Sequence, residues 1–160
     1  MHKSFNGGCY CGKIRYEISS DDIVVVHCHC SNCRRSVGGP FVTWAVVSEK
    51  DLNYIGEKPT IHITETKRER GFCKDCGSSI SYHKIGEDTI DITVGTFDDP
   101  NAVTPSKHIW DRRRIPWVKM EDGLPHYIEW SIGSDPIENY DKILEKYKTK
   151  TNYYQERLTW

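Results

Sequence analysis

The seven cysteines of this 160-residue chain all lie in three short clusters, a spacing that is typical of metal ligation. Two clusters are pairs, Cys9-Tyr-Cys11 and Cys73-Lys-Asp-Cys76, and the third is the triplet Cys28-His-Cys30-Ser-Asn-Cys33. Zinc binds thiolate sulfur at about 2.3 Å, so several sulfurs must converge on one ion. Two pairs supply the four sulfurs of a closed, structural site, whereas a triplet leaves one coordination position for chemistry.

The two pairs are expected to form the closed site. Gly12 and Gly77 follow the pairs directly, and a glycine there can adopt positive φ and turn backbone N–H groups toward the thiolates. Because more than 60 residues separate the pairs, a shared ion would supply folding energy by joining distant parts of the chain. The alternative is a redox pair of Cys73 and Cys76, which the missing βαβ pattern disfavours.

The triplet predicts an open, catalytic site. On a strand Cys28 and Cys30 point to the same face, and a turn after them brings Cys33 round. A substrate thiol that joined these three ligands on zinc would lose its proton and become a nucleophile at neutral pH. Arg34 and Arg35 follow directly and can bind the carboxylates of an anionic ligand.

Two alternatives to the open site remain. A histidine from a distant part of the chain, His83 or His108, could complete a purely structural zinc shell. The triplet could also be a reactive thiol cluster without metal. His27 and His29 alternate to the opposite face from the neighbouring cysteines, which favours a solvent-facing or supporting position for both.

Short strands must position these clusters. Ile14, Tyr16 and Ile18 alternate with polar residues, as in a half-buried strand. Further short apolar, β-branched or alternating runs occupy residues 23–26, 41–47, 61–63, 79–83 and 89–95, separated by Gly, Asp or Asn. Residues 96–135 are rich in Pro, Asp and Gly and predict extended loops. This pattern favours a mainly β fold: a sandwich, a barrel or an open sheet.

The C-terminal segment differs from the rest. Asp135 is placed to cap a helix with Pro136 at its first position, and apolar residues then recur at helical spacing, so we predict an amphipathic helix over residues 136–149. One domain is expected over residues 1–135, with the helix and tail of residues 136–160 packed on it or extending from it.

Composition disfavours several classes of partner. The chain has 22 Lys and Arg against 23 Asp and Glu, which gives no electrostatic reason to expect nucleic acid or an anionic membrane. No apolar run approaches the ~18 residues of a membrane span, and the first residues lack the apolar core of a signal peptide. A cytoplasmic location is therefore expected, where reduced thiols favour metal binding over disulfides.

Three segments carry a family resemblance: Gly-Gly-Cys9-Tyr-Cys11-Gly, His27-Cys-His-Cys-Ser-Asn-Cys33-Arg-Arg and Gly71-Phe-Cys73-Lys-Asp-Cys76-Gly. They resemble the glutathione-dependent formaldehyde-activating enzyme family, which includes the centromere protein V group. The order and spacing of all seven cysteines agree, and the similarity runs over most of residues 5–130. The basic run around Arg112–Arg114 departs from the family pattern, and a solvated face is its favoured interpretation.

The resemblance implies a β-tent fold, in which small antiparallel sheets are joined by zinc. It implies one structural zinc and one catalytic zinc, and because the catalytic ion has three protein ligands, we expect it to be the more labile of the two. The structural ion would be held by Cys9, Cys11, Cys73 and Cys76, and the catalytic ion by Cys28, Cys30 and Cys33. The implied activity is the addition of glutathione to formaldehyde, which gives S-(hydroxymethyl)glutathione and is classed as a carbon–sulfur lyase reaction.

Three functions follow as hypotheses. The first is an enzyme acting on a small thiol and an aldehyde, with His108 or Tyr82 assisting proton transfer. The second is a non-catalytic module whose run Arg112–Arg114 meets a protein or, against the near-neutral charge, a nucleic acid. The third, a thiol-based redox or repair enzyme like the related methionine sulfoxide reductases, is disfavoured because it needs a free cysteine. The oligomeric state stays open.

Overall fold

The computed structural model describes residues 3–132 and 136–137. Within them the chain forms ten strands and one α-helix, which confirms the predicted mainly β fold. The strands are β1 (Ser4–Gly8), β2 (Arg15–Ser19), β3 (Val24–Cys28), β4 (Val42–Ser48), β5 (Leu52–Tyr54), β6 (Thr60–Ile63), β7 (Arg68–Phe72), β8 (Ser79–Lys84), β9 (Thr89–Thr93) and β10 (Lys107–Ile109). The helix α1 spans Ser31–Val37.

The strands form two sheets. The smaller sheet has the order β1-β2-β5, and the larger one has the order β10-β3-β4-β9-β8-β7-β6. Neighbouring strands are antiparallel except β10, which pairs with β3 in parallel register. The antiparallel arrangement agrees with the predicted fold class.

The main apolar core lies between the two sheets. Alternation on β2 turns Tyr16 and Ile18 into this core, and both are fully buried. On the larger sheet Ala45 and Val47 of β4 and Ile92 of β9 meet them from the other side. The alternating pattern in the sequence therefore identifies the face along which the sheets pack.

A second, smaller core lies on the opposite face of the larger sheet, beneath α1. Its buried members include Trp44 of β4, Ile109 of β10 and the side chains of Cys28 and Cys33. Because residues alternate along β4, the strand serves both cores, with even positions such as Trp44 facing α1. The three-cysteine cluster is thus built into a packed layer.

Several elements were not predicted. Strands β1, β5, β7 and β10 and helix α1 form in segments without a strong periodic pattern, and β10 lies inside the expected loop region. The predicted helix over residues 136–149 lies outside the described residues except for its first two positions. The boundary at residue 135 therefore stays a prediction.

Candidate active site

Four thiols converge where the two sheets meet. Cys9 and Cys11 follow β1, and Cys73 and Cys76 follow β7. The Sγ atoms of Cys9 and Cys11 lie 3.5 Å apart, those of Cys11 and Cys73 lie 3.8 Å apart, and all four lie within 4.8 Å of one another. Sulfurs bound tetrahedrally at about 2.3 Å are separated by just under 4 Å, so this cluster has the dimensions of a zinc site.

Neighbouring groups prepare these thiols for ligation. The backbone N–H of Ile14 donates to Cys9 Sγ at 3.3 Å, and the Ser78 hydroxyl lies 3.2 Å from Cys76 Sγ. Hydrogen bonds from the Ser78 side chain and from backbone N–H groups lower the pKa of Cys76 to about 5, which favours the metal-binding thiolate. Gly77 has the expected positive φ, +74°.

Three further thiols converge at the junction of β3 and α1. Cys28 ends β3, Cys30 caps α1 and Cys33 lies in its first turn, with the three sulfurs within 4.8 Å of one another. The expected turn is thus a short helix, and Cys30 Sγ accepts a hydrogen bond from the backbone N–H of Cys33 at 3.2 Å. Three convergent soft donors fit zinc.

Arg70 of β7 stands beside this cluster. Both terminal nitrogens of its guanidinium lie 3.8 Å from Cys33 Sγ, and the group stacks 4.4 Å above the ring of Tyr82. Hydrogen bonds from Cys28 and Cys30, supported by the charge of Arg70, hold the pKa of Cys33 well below its usual value. The cluster therefore contains a stabilised thiolate next to a fixed positive charge.

A cavity of about 350 Å³ lies over the three thiols. Its walls are aromatic and basic, with Asp91 of β9 as the acidic group among the described residues. The aromatic lining residues are Trp44, Tyr82, Trp110 and Trp130, and the basic ones are Arg68, Arg70, Arg112 and Arg113. Such a lining suits an anionic ligand, because guanidinium groups bind carboxylates through paired hydrogen bonds.

The two predicted anion-binding arginines take different positions. Arg34 donates from Nε to the carbonyl oxygen of His29 at 3.2 Å and is not among the cavity-lining residues of the described chain. Arg35 lines an adjoining groove, which shares Arg68 and Arg70 with the cavity. Only Arg35 of the predicted pair is therefore placed to meet an extended ligand.

The solvated-face interpretation of the run Arg112–Arg114 is wrong. Arg112 and Arg113 line the cavity, and Arg112 forms an ion pair with Glu129 at 2.7 Å. The side chain of Arg114 is 14% exposed and lies 3.6 Å from the buried carboxylate of Asp111. The sequence suggested solvation because loop residues ordinarily face water, but here the loop folds back over the thiols.

Three histidines, His27, His29 and His108, lie on the side of β3 opposite to the three-cysteine cluster. His108 pairs in register with His27, and Ile109 pairs with Cys28, so His108 and Cys28 point to opposite faces. His29 is fully buried, which rules out the solvent-facing position that was one expectation for it. Nε2 of His29 lies 3.0 Å from Nδ1 of His108.

The far side of His108 faces a carboxylate. Nε2 of His108 lies 3.0 Å from Asp122, so Asp122, His108 and His29 form one hydrogen-bonded chain behind the thiols. Among the described residues, no histidine shares the three-cysteine group. Of the two distant candidates, His83 instead contacts Glu69 at 2.8 Å. The catalytic role predicted for His108 stays a prediction, and its position favours support of the cluster from behind.

Arg70, Asp91 and the pair Trp110 and Trp130 were not predicted as site residues from the sequence. One signal was present for Asp91, since an acidic residue interrupts the β-branched run of β9. Trp110 adopts φ +55°, which is unusual for a bulky residue, and its ring meets that of Trp130 edge-on at 6.0 Å. Nothing in a single sequence marks that backbone conformation.

Comparison with known proteins shows that the chain matches one family model. The family model described as glutathione-dependent formaldehyde-activating enzyme matches residues 4–113, which include all seven cysteines. A crystal structure of a Rhodobacter sphaeroides protein is similar at 24% identity and a TM-score of 0.48, covering 62% of this chain and 91% of that chain. No curated protein matches significantly.

One further observation concerns membranes. Within the described residues, no helix is both long and apolar enough to cross a bilayer.

The family match extends over more than half of the chain and contains both thiol clusters and β1 to β10. The chain belongs to the glutathione-dependent formaldehyde-activating enzyme family.

Proposed function

We propose that this protein is a zinc-dependent enzyme of the carbon–sulfur lyase type that adds a small anionic thiol, such as glutathione, to formaldehyde or a related aldehyde. The observation that carries the proposal is the cluster of Cys28, Cys30 and Cys33 at the base of an arginine-lined cavity. The family match supports glutathione and formaldehyde as the substrate classes.

The donor chemistry of the two clusters supports two zinc ions. Cys9, Cys11, Cys73 and Cys76 would hold a structural ion, since four thiolates close its shell. The three-thiol cluster would hold a second ion, which when bound lowers the pKa of a ligand thiol and acts as a Lewis acid. Three protein ligands hold an ion less firmly than four, so this second ion is the more labile one.

The cavity walls orient the substrate. Arg68 and Arg113 are placed to bind carboxylates of a peptide thiol, with Arg35 in the adjoining groove for a longer ligand. Trp44 closes the cavity below and is 1% exposed, which limits the entry of water beside the reacting sulfur. The addition joins the thiol sulfur to the aldehyde carbon, and the aldehyde oxygen becomes a hydroxyl group.

The alternative of a non-catalytic binding module loses support from the position of its supposed contact surface. Arg112 and Arg113 line the cavity, where they serve a small ligand better than a macromolecule. The redox alternative is likewise weakened, because each of the seven cysteines belongs to a cluster of metal-binding dimensions.

The test measures catalysis directly. Zinc-loaded protein is mixed with glutathione and ¹³C-formaldehyde, and exchange NMR reports the rate at which free aldehyde and adduct interconvert. We expect acceleration over the protein-free rate, loss of acceleration in Cys33→Ser, and retention in the exposed control Lys58→Ala. Absence of acceleration, together with no calorimetric binding of glutathione, cysteinylglycine or cysteine, would overturn the proposal.

A further inference from the structure

Three polar side chains form a row across the larger sheet on the face that carries the thiols. The strand register places Arg70 of β7 opposite Tyr82 of β8, and Tyr82 opposite Asp91 of β9. All three line the cavity. On β9 the flanking Ile90 and Ile92 point into the core between the sheets, so the pleat directs Asp91 to the opposite face.

The side chain of Asp91 is half-buried. In the described part of the chain no hydrogen bond or ion pair joins it to another side chain, and it lines the cavity. A carboxyl group that lines a ligand cavity and lacks a partner of its own is available to a ligand.

The electrostatic surroundings of Asp91 come from four elements. Cys33 of α1 and Glu87, in the turn between β8 and β9, disfavour its charge; Arg70 of β7 and His83 of β8 favour it. Tyr82 of β8 is the partner of Asp91 on one side of β9. On the other side, the partner of Asp91 on β4 is the apolar Val46. Burial comes first among the causes that raise the pKa of Asp91 to about 7.

We propose that Asp91 is the acid–base residue of the thiol addition, carrying the proton from the substrate sulfur to the aldehyde oxygen. This inference rests on the proposed function. Its basis is the position of the carboxyl group in the wall above the three thiols, on the same sheet face as Arg70 and Tyr82, without a structural partner.

The step balances without a further reactant. The Asp91 carboxylate accepts the proton of the substrate thiol, and the sulfur electron pair forms the C–S bond while the C=O π pair moves to oxygen. The resulting alkoxide takes the proton back from the Asp91 carboxyl group and becomes the hydroxyl of the adduct. Asp91 ends the cycle as a carboxylate, as it began, and the reverse reaction uses the same steps in the opposite order.

The test compares Asp91→Asn with Asp88→Asn, an exposed neighbour before the same strand. We expect Asp91→Asn to lower kcat by at least about 100-fold, the low end for loss of acid–base catalysis, with glutathione binding by calorimetry no weaker than in the wild type. Asp88→Asn retains wild-type rates. Asp91→Glu, which restores the carboxyl group, recovers part of kcat.

The pH profile separates catalysis from a structural effect. In the wild type kcat/KM rises with pH through an acidic limb near 7, because the free enzyme must begin as the carboxylate; in Asp91→Asn that limb disappears. Wild-type rates and an unchanged limb in Asp91→Asn would overturn the role of Asp91. A wild-type protein that does not accelerate the addition would instead overturn the proposed function, so the two failures are distinct.

Discussion

Nδ1 of His108 accepts a hydrogen bond from Nε2 of His29, at 3.0 Å, across 79 positions of sequence. The direction follows from Asp122, whose carboxylate accepts from the other ring nitrogen of His108 and so fixes its tautomer. His29 lies between Cys28 and Cys30, and this contact therefore holds the backbone that presents two of the three thiols. The second cluster is positioned from behind by a residue that the sequence suggested as catalytic.

The first prediction concerns that contact. His108→Asn keeps an acceptor near the Nδ1 position, whereas His108→Gln places its amide near Nε2 and leaves the buried His29 N–H without a partner. We expect His108→Gln to lower the free energy of unfolding by about 1–3 kcal/mol more than His108→Asn. Chemical denaturation measures the difference, and competition with a chromophoric chelator should show weaker zinc binding at the three-thiol cluster in the same order. Equal stabilities would contradict a stabilising role for the hydrogen bond between His29 and His108.

The second prediction separates the two thiol clusters. Cys76→Ser removes a ligand from the closed site, whose metal binding is worth about 10–16 kcal/mol in small zinc domains, so the variant should fail to fold at 37 °C. Cys33→Ser should stay folded, with one zinc per chain and no thiol activity. Circular dichroism and metal analysis by mass spectrometry measure both. A folded Cys76→Ser protein with two zincs would refute the division into four and three.

The third prediction uses two glycines. A Cβ on Gly7 would lie 2.2 Å from the Tyr16 hydroxyl and 2.5 Å from the Thr96 carbonyl oxygen, in the packed contact between β1 and the turn after β9. We expect Gly7→Ala to lower the free energy of unfolding by about 1–3 kcal/mol through overpacking. Gly95→Ala is the matched control, since a Cβ there meets no atom within 4 Å. Thermal denaturation should show a clear loss for the first variant alone.

The fourth prediction concerns pH. The Nδ1 atom of His83 lies 2.8 Å from Glu69 across the β7–β8 pair, and this hydrogen bond raises the pKa of His83 above its unfolded value of 6.5. The folded state therefore binds more protons, so the contribution is complete below pH 6.5 and is lost as pH rises through the folded pKa. The stability difference between wild type and His83→Gln should be less than about 1 kcal/mol and should shrink from pH 6 to pH 9. A constant difference over that range would contradict the pairing.

Local patterns account for what the sequence predicted correctly. The spacing of the cysteines is a property of short segments, and so is the alternation of Ile14, Tyr16 and Ile18, which predicted β2 and its buried face. The thiol clusters were grouped correctly because a pair or a triplet can present its sulfurs from one loop.

What the sequence did not predict depends on contacts between distant segments. Strand β7 contains Glu69 and Gly71, residue types that are depleted in strands, and its pairing with β8 overrides that preference. The seven-residue helix α1 lacks an apolar period and relies on the Cys30 cap. The cavity wall follows from the register of β7, β8 and β9, which no single segment reveals.

The four-thiol cluster also has a consequence for the order of folding. Cys11 and Cys73 are separated by 62 positions, and the loop that they close contains the whole three-thiol cluster. Closing such a loop costs about 4 kcal/mol of chain entropy, and strand pairs of high sequence separation form slowly. An ion bound at the outer cluster would shorten this search for every pairing inside the loop. With zinc bound there, the closed outer loop would set how quickly the chain reaches the state in which the inner cluster can form.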